Sequence, residues 1–316
     1  MNPAQLQALT ADFQALQDRI VDGIEAVEAQ HGGATFVEDA WERPGGGGGR
    51  TRVLTAGKVW ERGGVNFSQV EGEASSALKA QMNTEADRFW AAGVSLVLHP
   101  NNPHVPIVHM NVRHFALSDG TSWFGGGIDM TPHYVNPEEA TQFHHVLKAA
   151  CDAHPCADYA RFKDWADEYF FVPHRGETRG VGGIFFDHLG RDGATEAQWQ
   201  AHKDFVFEVG DAFLPAYLPL VHENVAKTFT PQERDWQLHR RGRYVEFNLV
   251  WDRGTRFGLV SNGRTESILI SLPPEVKWTY NYDAGPKEQE TLGWLKKGID
   301  WAGTPLQPQA AAPRLD

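Results

Sequence analysis

Three polar residues stand on alternate positions of the segment IVHMNVRHF: His109, Asn111 and Arg113, an imidazole, an amide and a guanidinium. Val108, Met110 and Val112 fill the positions between them. In an extended strand alternate side chains share a face. One face of this segment is therefore apolar, and the other is a row of groups suited to a polar, anionic molecule. The preceding stretch GVSLVLH repeats the pattern, with Ser95 and His99 on one face and Val97 between them. One such strand alone is the ordinary half-exposed antiparallel strand. Two in succession, joined by the short Pro/Asn-rich turn HPNNPHVP, make a polar surface.

Two further groups could join that surface. Asp129 closes the extended segment WFGGGID, whose glycines permit close approach of a backbone or a ligand. Its carboxylate has two readings: an acceptor or base for a ligand N–H, or a turn or cap residue before Thr131 and Pro132. Arg264 follows the tight-turn pair Asn262-Gly263. It is either a solvated arginine at a hairpin tip or, with the N–H groups of its loop, a carboxylate clamp.

The chain has 14 histidines, and four stand out by setting. His99 and His109 lie on the polar faces, His144 lies on the helical segment EEATQFHHVLK, and His174 follows FFVP beside Arg175. Imidazole suits divalent transition ions, so a metal is one reading of this set. The four form no compact local motif of the H-E-x-x-H kind, and His145 is an alternative ligand beside His144. The other reading is that they are ordinary core and surface residues.

Elements must hold these groups in place. Leu6, Leu9, Phe13, Leu16, Ile20, Ile24 and Val27 follow helical spacing, which predicts an amphipathic helix over 3–30. The run Gly45 to Gly49 lacks the lysine of a phosphate-binding loop and reads as a mobile linker. Strand-like pieces follow at 51–60 and 64–70, a helix over 76–92, and the strands 93–99 and 105–117. SDGT is a turn, with the glycine-rich extended segment behind it. Helices are expected at 137–153 and 157–171, and a long one at 195–229, bent near Pro215 and Pro219. The alternation of YVEFNLVW predicts a strand at 244–251, with a hairpin partner at 256–260 and further strands at 267–272 and 278–282. The expected fold is α+β: a large, mainly antiparallel sheet flanked by α-helices in one domain. Residues 1–34 form an N-terminal helix packed on the domain, 35–301 the domain itself, and 302–316 a loose Pro/Ala/Gln-rich tail.

Composition bounds the partners. The 316 residues are 41% hydrophobic and 22% charged, as in a globular protein. A net charge of −12 argues against nucleic acid as the main partner. No apolar run reaches the roughly 18 residues of a membrane helix, and no basic n-region precedes an apolar core at the N-terminus. Cys151 and Cys156 read as free thiols, so a cytoplasmic location is expected.

Taken in order, a set of segments resembles the oxygen-dependent coproporphyrinogen III oxidase family. They are GGGGGRTRVL, GVNFS, GVSLVLHP, HMNVR, WFGGGIDMTP, DEYFFVPHRGE, GVGGIFFD, RRGRYVEFNL, DRGTRFGL and GRTESILISLPP, covering roughly 35–283. The resemblance implies oxidative decarboxylation of the ring A and B propionates of coproporphyrinogen III to vinyl groups. Oxygen would be the acceptor, and the products would be protoporphyrinogen IX, CO2 and reduced oxygen. It implies a homodimer with its interface around 244–279, and no organic cofactor. His109 matches the family's proton donor, and Asp129 its acidic residue near the pyrrole nitrogens. Ser95, Asn111, Val112, Arg113, Asn262, Gly263 and Arg264 match substrate contacts, Val112 through its backbone alone. His99, His109, His144 and His174 match positions assigned to a divalent metal (Mn, Fe or Cu) in some members. His109 is thus a proton donor, a metal ligand or both. Asn262 stands where the family pattern has glycine, and Thr51 where it has serine. Two alternatives remain: a metal-dependent oxygenase of another tetrapyrrole, and a tetrapyrrole-binding protein without catalysis.

Overall fold

The computed structural model describes residues 3–260 and 263–303. Its centre is a seven-stranded antiparallel sheet in the order β1-β2-β3-β4-β5-β6-β9. The strands are β1 (Val37–Glu42), β2 (Gly47–Thr55), β3 (Trp60–Glu73), β4 (Arg88–Pro100), β5 (Ile107–Leu117), β6 (Ser122–Thr131) and β9 (Gly182–Leu189). A two-residue pair, β7 (Phe171–Val172) and β8 (Glu177–Thr178), stands apart. Period-two patterning sorts the sheet into two faces. Val65, Phe67, Val94, Leu96, Leu98, Val108, Met110, Val112, Phe124, Ile128, Ile184 and Phe186 point to one side and are buried. That side is covered by α1 (Pro3–Gln30), α3 (Pro137–Asp152), α5 (Glu196–Asp211) and α6 (Phe213–Asn224), which share its core.

Helix α1 follows its sequence pattern, with Leu9, Phe13, Leu16, Ile20, Ile24 and Val27 buried against the sheet. Its last turn carries Glu28, fully buried, whose carboxylate accepts the backbone N–H groups of Lys58, Val59 and Trp60 at 2.8, 3.0 and 2.8 Å. These bonds satisfy a charge that would otherwise be costly to bury.

The expected helices at 137–153 and 157–171 are α3 and α4 (Tyr159–Tyr169). Other expectations are corrected. The glycine run is ordered hairpin: Gly46 and Gly47 take φ of 114° and 83°, conformations natural only to glycine, and Gly47 begins β2. The helix expected over 76–92 ends after one stretch, α2 (Ser76–Met82), because Asn83 caps it in the left-handed region. The chain then pairs with β3 as strand β4. The long helix at 195–229 is two, divided at Ala212.

The largest correction concerns 231–282. Thr230 and Glu233 form a capping box with Pro231 at the first helical position, starting α7 (Pro231–Glu246). This helix runs into a π-turn (Phe247–Trp251), followed by α8 (Arg253–Val260) and α9 (Thr265–Leu269). None of the strands expected at 244–251, 256–260, 267–272 and 278–282 forms. The last of these segments has no regular structure, and α10 (Pro286–Trp294) follows it. This helical layer lies over the polar face of the sheet. Tyr244 packs with Val97 and Ile107, and Ser267 bonds to Thr51 and Asn66.

Candidate active site

The polar face carries the residues of interest in register. Asp39, Thr51, Asn66, Ser95, Asn111 and Gly127 form one row across six strands. Gly93, Arg113 and Gly125 form the next row on one side, and Val97, His109 and Asp129 the next on the other. Gly125 and Gly127 put no side chain over the floor. A Cβ on Gly125 would come within 2.4 Å of an Asp187 carboxylate oxygen and 2.9 Å of the Arg113 guanidinium. The sheet thus brings Ser95, His109, Asn111, Arg113 and Asp129 onto one surface.

At its inner end is a charged chain. His109 Nδ1 donates to Asp129 Oδ1 at 2.7 Å. Arg179 Nη2 donates to both oxygens of Asp129 at 2.8 and 2.7 Å. Asp129 and Arg179 are 1% and 3% exposed, while the His109 side chain keeps 22%. The chain reversal that brings Arg179 here runs tight against β6: a Cβ on Gly180 would lie 2.1 Å from Met130 O. Burial pushes the Asp129 carboxyl up, but Arg179 and His109 together outweigh it and hold it below its ordinary value. Burial likewise works against the Arg179 charge, and Asp129 reverses the balance. Asp129 is therefore ionised and can only accept. That fixes the proton of His109 on Nδ1 and leaves Nε2 as the ring nitrogen for the groove.

Asp129 is engaged at both oxygens, by His109 and Arg179. Arg113 is also engaged: Nη1 donates to Asn111 Oδ1 at 2.7 Å and Nη2 to Asp187 Oδ2 at 2.8 Å, with the side chain 33% exposed. Val112 is fully buried on the apolar face, and its register partners are Val94 and Gly126, so it serves to space its neighbours. Arg264 pairs with Asp39, at the far end of the row. Four strand spacings separate Asp39 from Asn111, about 19 Å. Gly263 donates to Gly258 O at 2.8 Å in a helix–helix connection, not a hairpin. Asn262 lies outside the described residues.

The four histidines are not brought together. His99 is buried with Nε2 on Ser271 O, and burial drops it to about 3. His144 is buried on α3, with Nδ1 on Tyr159 Oη and Nε2 on Val181 O. With a carbonyl taking one ring nitrogen and a phenol the other, no lone pair remains for a metal. His174 Nε2 meets Glu246, and its Nδ1 accepts from Trp251. Among the described residues no group of three or more His, Cys, Asp or Glu side chains could hold a metal ion. The donor set implied for a divalent metal does not fit the arrangement within one chain.

Three residues of the site were not singled out for it from sequence. Arg179 carries no local spacing signal that links it to Asp129. Asn248, whose Oδ1 accepts from Arg179 Nη1 at 2.9 Å, was placed on an expected strand. Asp187 stands at the end of β9, and only the fold sets it beside Arg113.

Known proteins resemble this chain over nearly its whole length. Residues 8–301 match the family model described as coproporphyrinogen III oxidase. Two cyanobacterial proteins, from Parasynechococcus marenigrum (strain WH8102) and Synechococcus sp. (strain CC9605), are each 48% identical, with 93% of this chain and 86% of the relative covered. Both are named oxygen-dependent coproporphyrinogen-III oxidase. With nearly its whole length matched, the chain belongs to the coproporphyrinogen III oxidase family.

Proposed function

We infer that the chain catalyses the oxygen-dependent decarboxylation of the ring A and B propionates of coproporphyrinogen III, giving protoporphyrinogen IX. The observation that carries this reading is the His109–Asp129–Arg179 chain, opening onto a polar floor that holds Asn111 and Arg113. At each propionate one C–H bond and the C–COO⁻ bond break, and the vinyl C=C forms. The two electrons and the lost hydrogen go to O2 with one further proton, giving CO2 and hydrogen peroxide. The pyrrole is electron-rich enough to pass these electrons to oxygen directly.

His109, carrying a second proton on Nε2 when it acts, supplies that proton to reduced oxygen, and Asp129 keeps its ring oriented for this. Arg113 lies four residues along β5 from His109, roughly 13–14 Å at strand rise. That span supports a part for it in holding a propionate remote from the reacting one, through the forked geometry guanidinium offers a carboxylate. The propionate takes over part of the bonding that Asp187 and Asn111 give Arg113. Ser95 and Asn111 offer hydrogen bonds between these two points.

A homodimer is part of the proposal. Leu249, Val250 and Trp251 are 43–57% exposed in succession, and Leu259, Val260, Trp278 and Tyr280 are exposed nearby, within or beside the 244–279 region. Contiguous apolar exposure of this kind is what a protein interface covers. No helix of the described residues is long and apolar enough to cross a membrane. Cys151 and Cys156 are free, which suits a reducing cytoplasm.

The test is incubation with coproporphyrinogen III in air, following CO2 and the tetrapyrrole product. Two CO2 and one divinyl product per substrate are expected. Binding of the tetrapyrrole without CO2 release would instead support a carrier.

A further inference from the structure

We propose that Asn248, presented by the π-turn at the end of α7, is a positioning residue that holds Arg179 and through it the catalytic orientation of His109. The proposal rests on the reading of His109 given above and extends it. Arg179 is a buried cation with few anchors. Its Nη2 is committed to Asp129 and its Nη1 to Asn248, while Nε has no partner among the described residues. Its guanidinium carbon lies 4.4 Å from the centre of the Phe170 ring and 4.7 Å from those of Tyr244 and Phe247. These ring faces attract a cation but exert little control over its rotation. Among the described residues, Asn248 is therefore the one hydrogen-bonding side chain besides Asp129 that fixes the guanidinium plane.

The π-turn explains how Asn248 comes to be there. Asp252 N–H bonds to Phe247 O at 2.9 Å, five residues back, and the widened turn buries Phe247 and Asn248 while Leu249, Val250 and Trp251 face out. Such turns interrupt helices most often at functional positions. The turn is pinned at its end. The Asp252 carboxylate accepts from Tyr169 Oη at 2.8 Å and from the Thr255 N–H and hydroxyl at 2.7 Å. Tyr169 in turn stacks on Phe185, with ring centres 4.2 Å apart. An amide suits the position because it accepts from Arg179 without adding a second negative charge beside Asp129.

The experiment compares the full-length protein with Asn248→Ala and Asn248→Asp. Kinetics with coproporphyrinogen III in air are combined with thermal melting and ring-nitrogen NMR of His109. For Asn248→Ala the expectation is a fall in kcat of about 10- to 100-fold, the scale of a slightly misplaced catalytic group. KM and melting temperature should stay near those of the wild type. The acid limb of the kcat profile should move to higher pH, because a guanidinium less firmly oriented lowers the Asp129 carboxyl less. The His109 ring should change from a single Nδ1–H tautomer to a mixture. Asn248→Asp, which keeps an acceptor facing Arg179 but adds a second negative charge beside Asp129, should recover only part of kcat. An unchanged kcat in Asn248→Ala would overturn the proposal. So would a loss of activity that follows melting temperature with an unmoved pH profile, or a rise in KM alone. The NMR arm needs no turnover. If the wild type proves inactive on this substrate, the proposed function fails, while the tautomer comparison still decides the role of Asn248.

Discussion

His109 can work as a proton donor because Asp129 has no other task open to it. The carboxylate is sealed between an arginine and the imidazole, and its buried charge is balanced by Arg179. Removing one member of such a pair strands the other in a low-dielectric interior. Asp129→Ala should therefore cost about 3–5 kcal/mol of stability as well as turnover. Chemical denaturation read alongside kcat checks this, and unchanged stability would mean that Arg179 finds another partner or water. His109→Ala should separate the two effects. Asp129 keeps Arg179, so stability should fall by no more than about 1–3 kcal/mol, while kcat falls about 10²- to 10⁴-fold. The polar side of this constellation was legible in the alternation of His109, Asn111 and Arg113. Its buried side was not. Arg179 is fifty positions from Asp129, and no local spacing records their contact.

At the scale of elements, the floor of the groove depends on strand β6 carrying no side chain at Gly125. There the atoms nearest a Cβ would be the side-chain ends of Asp187 and Arg113. Gly125→Ala should therefore push that ion pair apart. On the proposal that Arg113 holds a propionate, KM should rise several-fold, with kcat and melting temperature little changed. A fall in kcat at constant KM would place Arg113 in the chemistry instead. The strands were readable because a two-sided sheet with one buried face imposes period-two patterning. The segment 244–282 misled for a physical reason. Tyr244, Val245, Phe247 and Asn248 are buried and the next three residues exposed, a helical grouping that over eight residues imitates alternation. The capping box Thr230 to Glu233 was the signal that a helix enters this region. The C-terminal histidine of the expected metal set, His174, was likewise placed by tertiary packing, against Glu246 and Trp251, and not by anything local.

At the scale of the whole molecule, buried neutral histidines set the response to acid. Burial lowers His99, His114 and His144 from 6.5 to about 3. The unfolded chain takes up these protons near its ordinary value and the folded chain does not. Stability is therefore lost as pH falls through that window, by about 1.4 kcal/mol per pH unit for each fully buried histidine. Melting temperature should drop clearly between about pH 7 and 5.5, ahead of any contribution from carboxylates such as Asp129, whose stabilisation is lost only below the ordinary carboxylate range. A flat profile would show that these rings are charged in the native state or open to water. The apolar strip of the π-turn makes a second prediction at this scale. Wild type should sediment at twice the 35.2 kDa chain mass, and Val250→Asp as a monomer. The central claim is that this chain passes two electrons from each propionate to molecular oxygen, and O2 uptake measured together with CO2 release on coproporphyrinogen III tests it most directly. The account predicts one O2 consumed for each CO2 released and no CO2 under argon; release that continues undiminished without oxygen would contradict it.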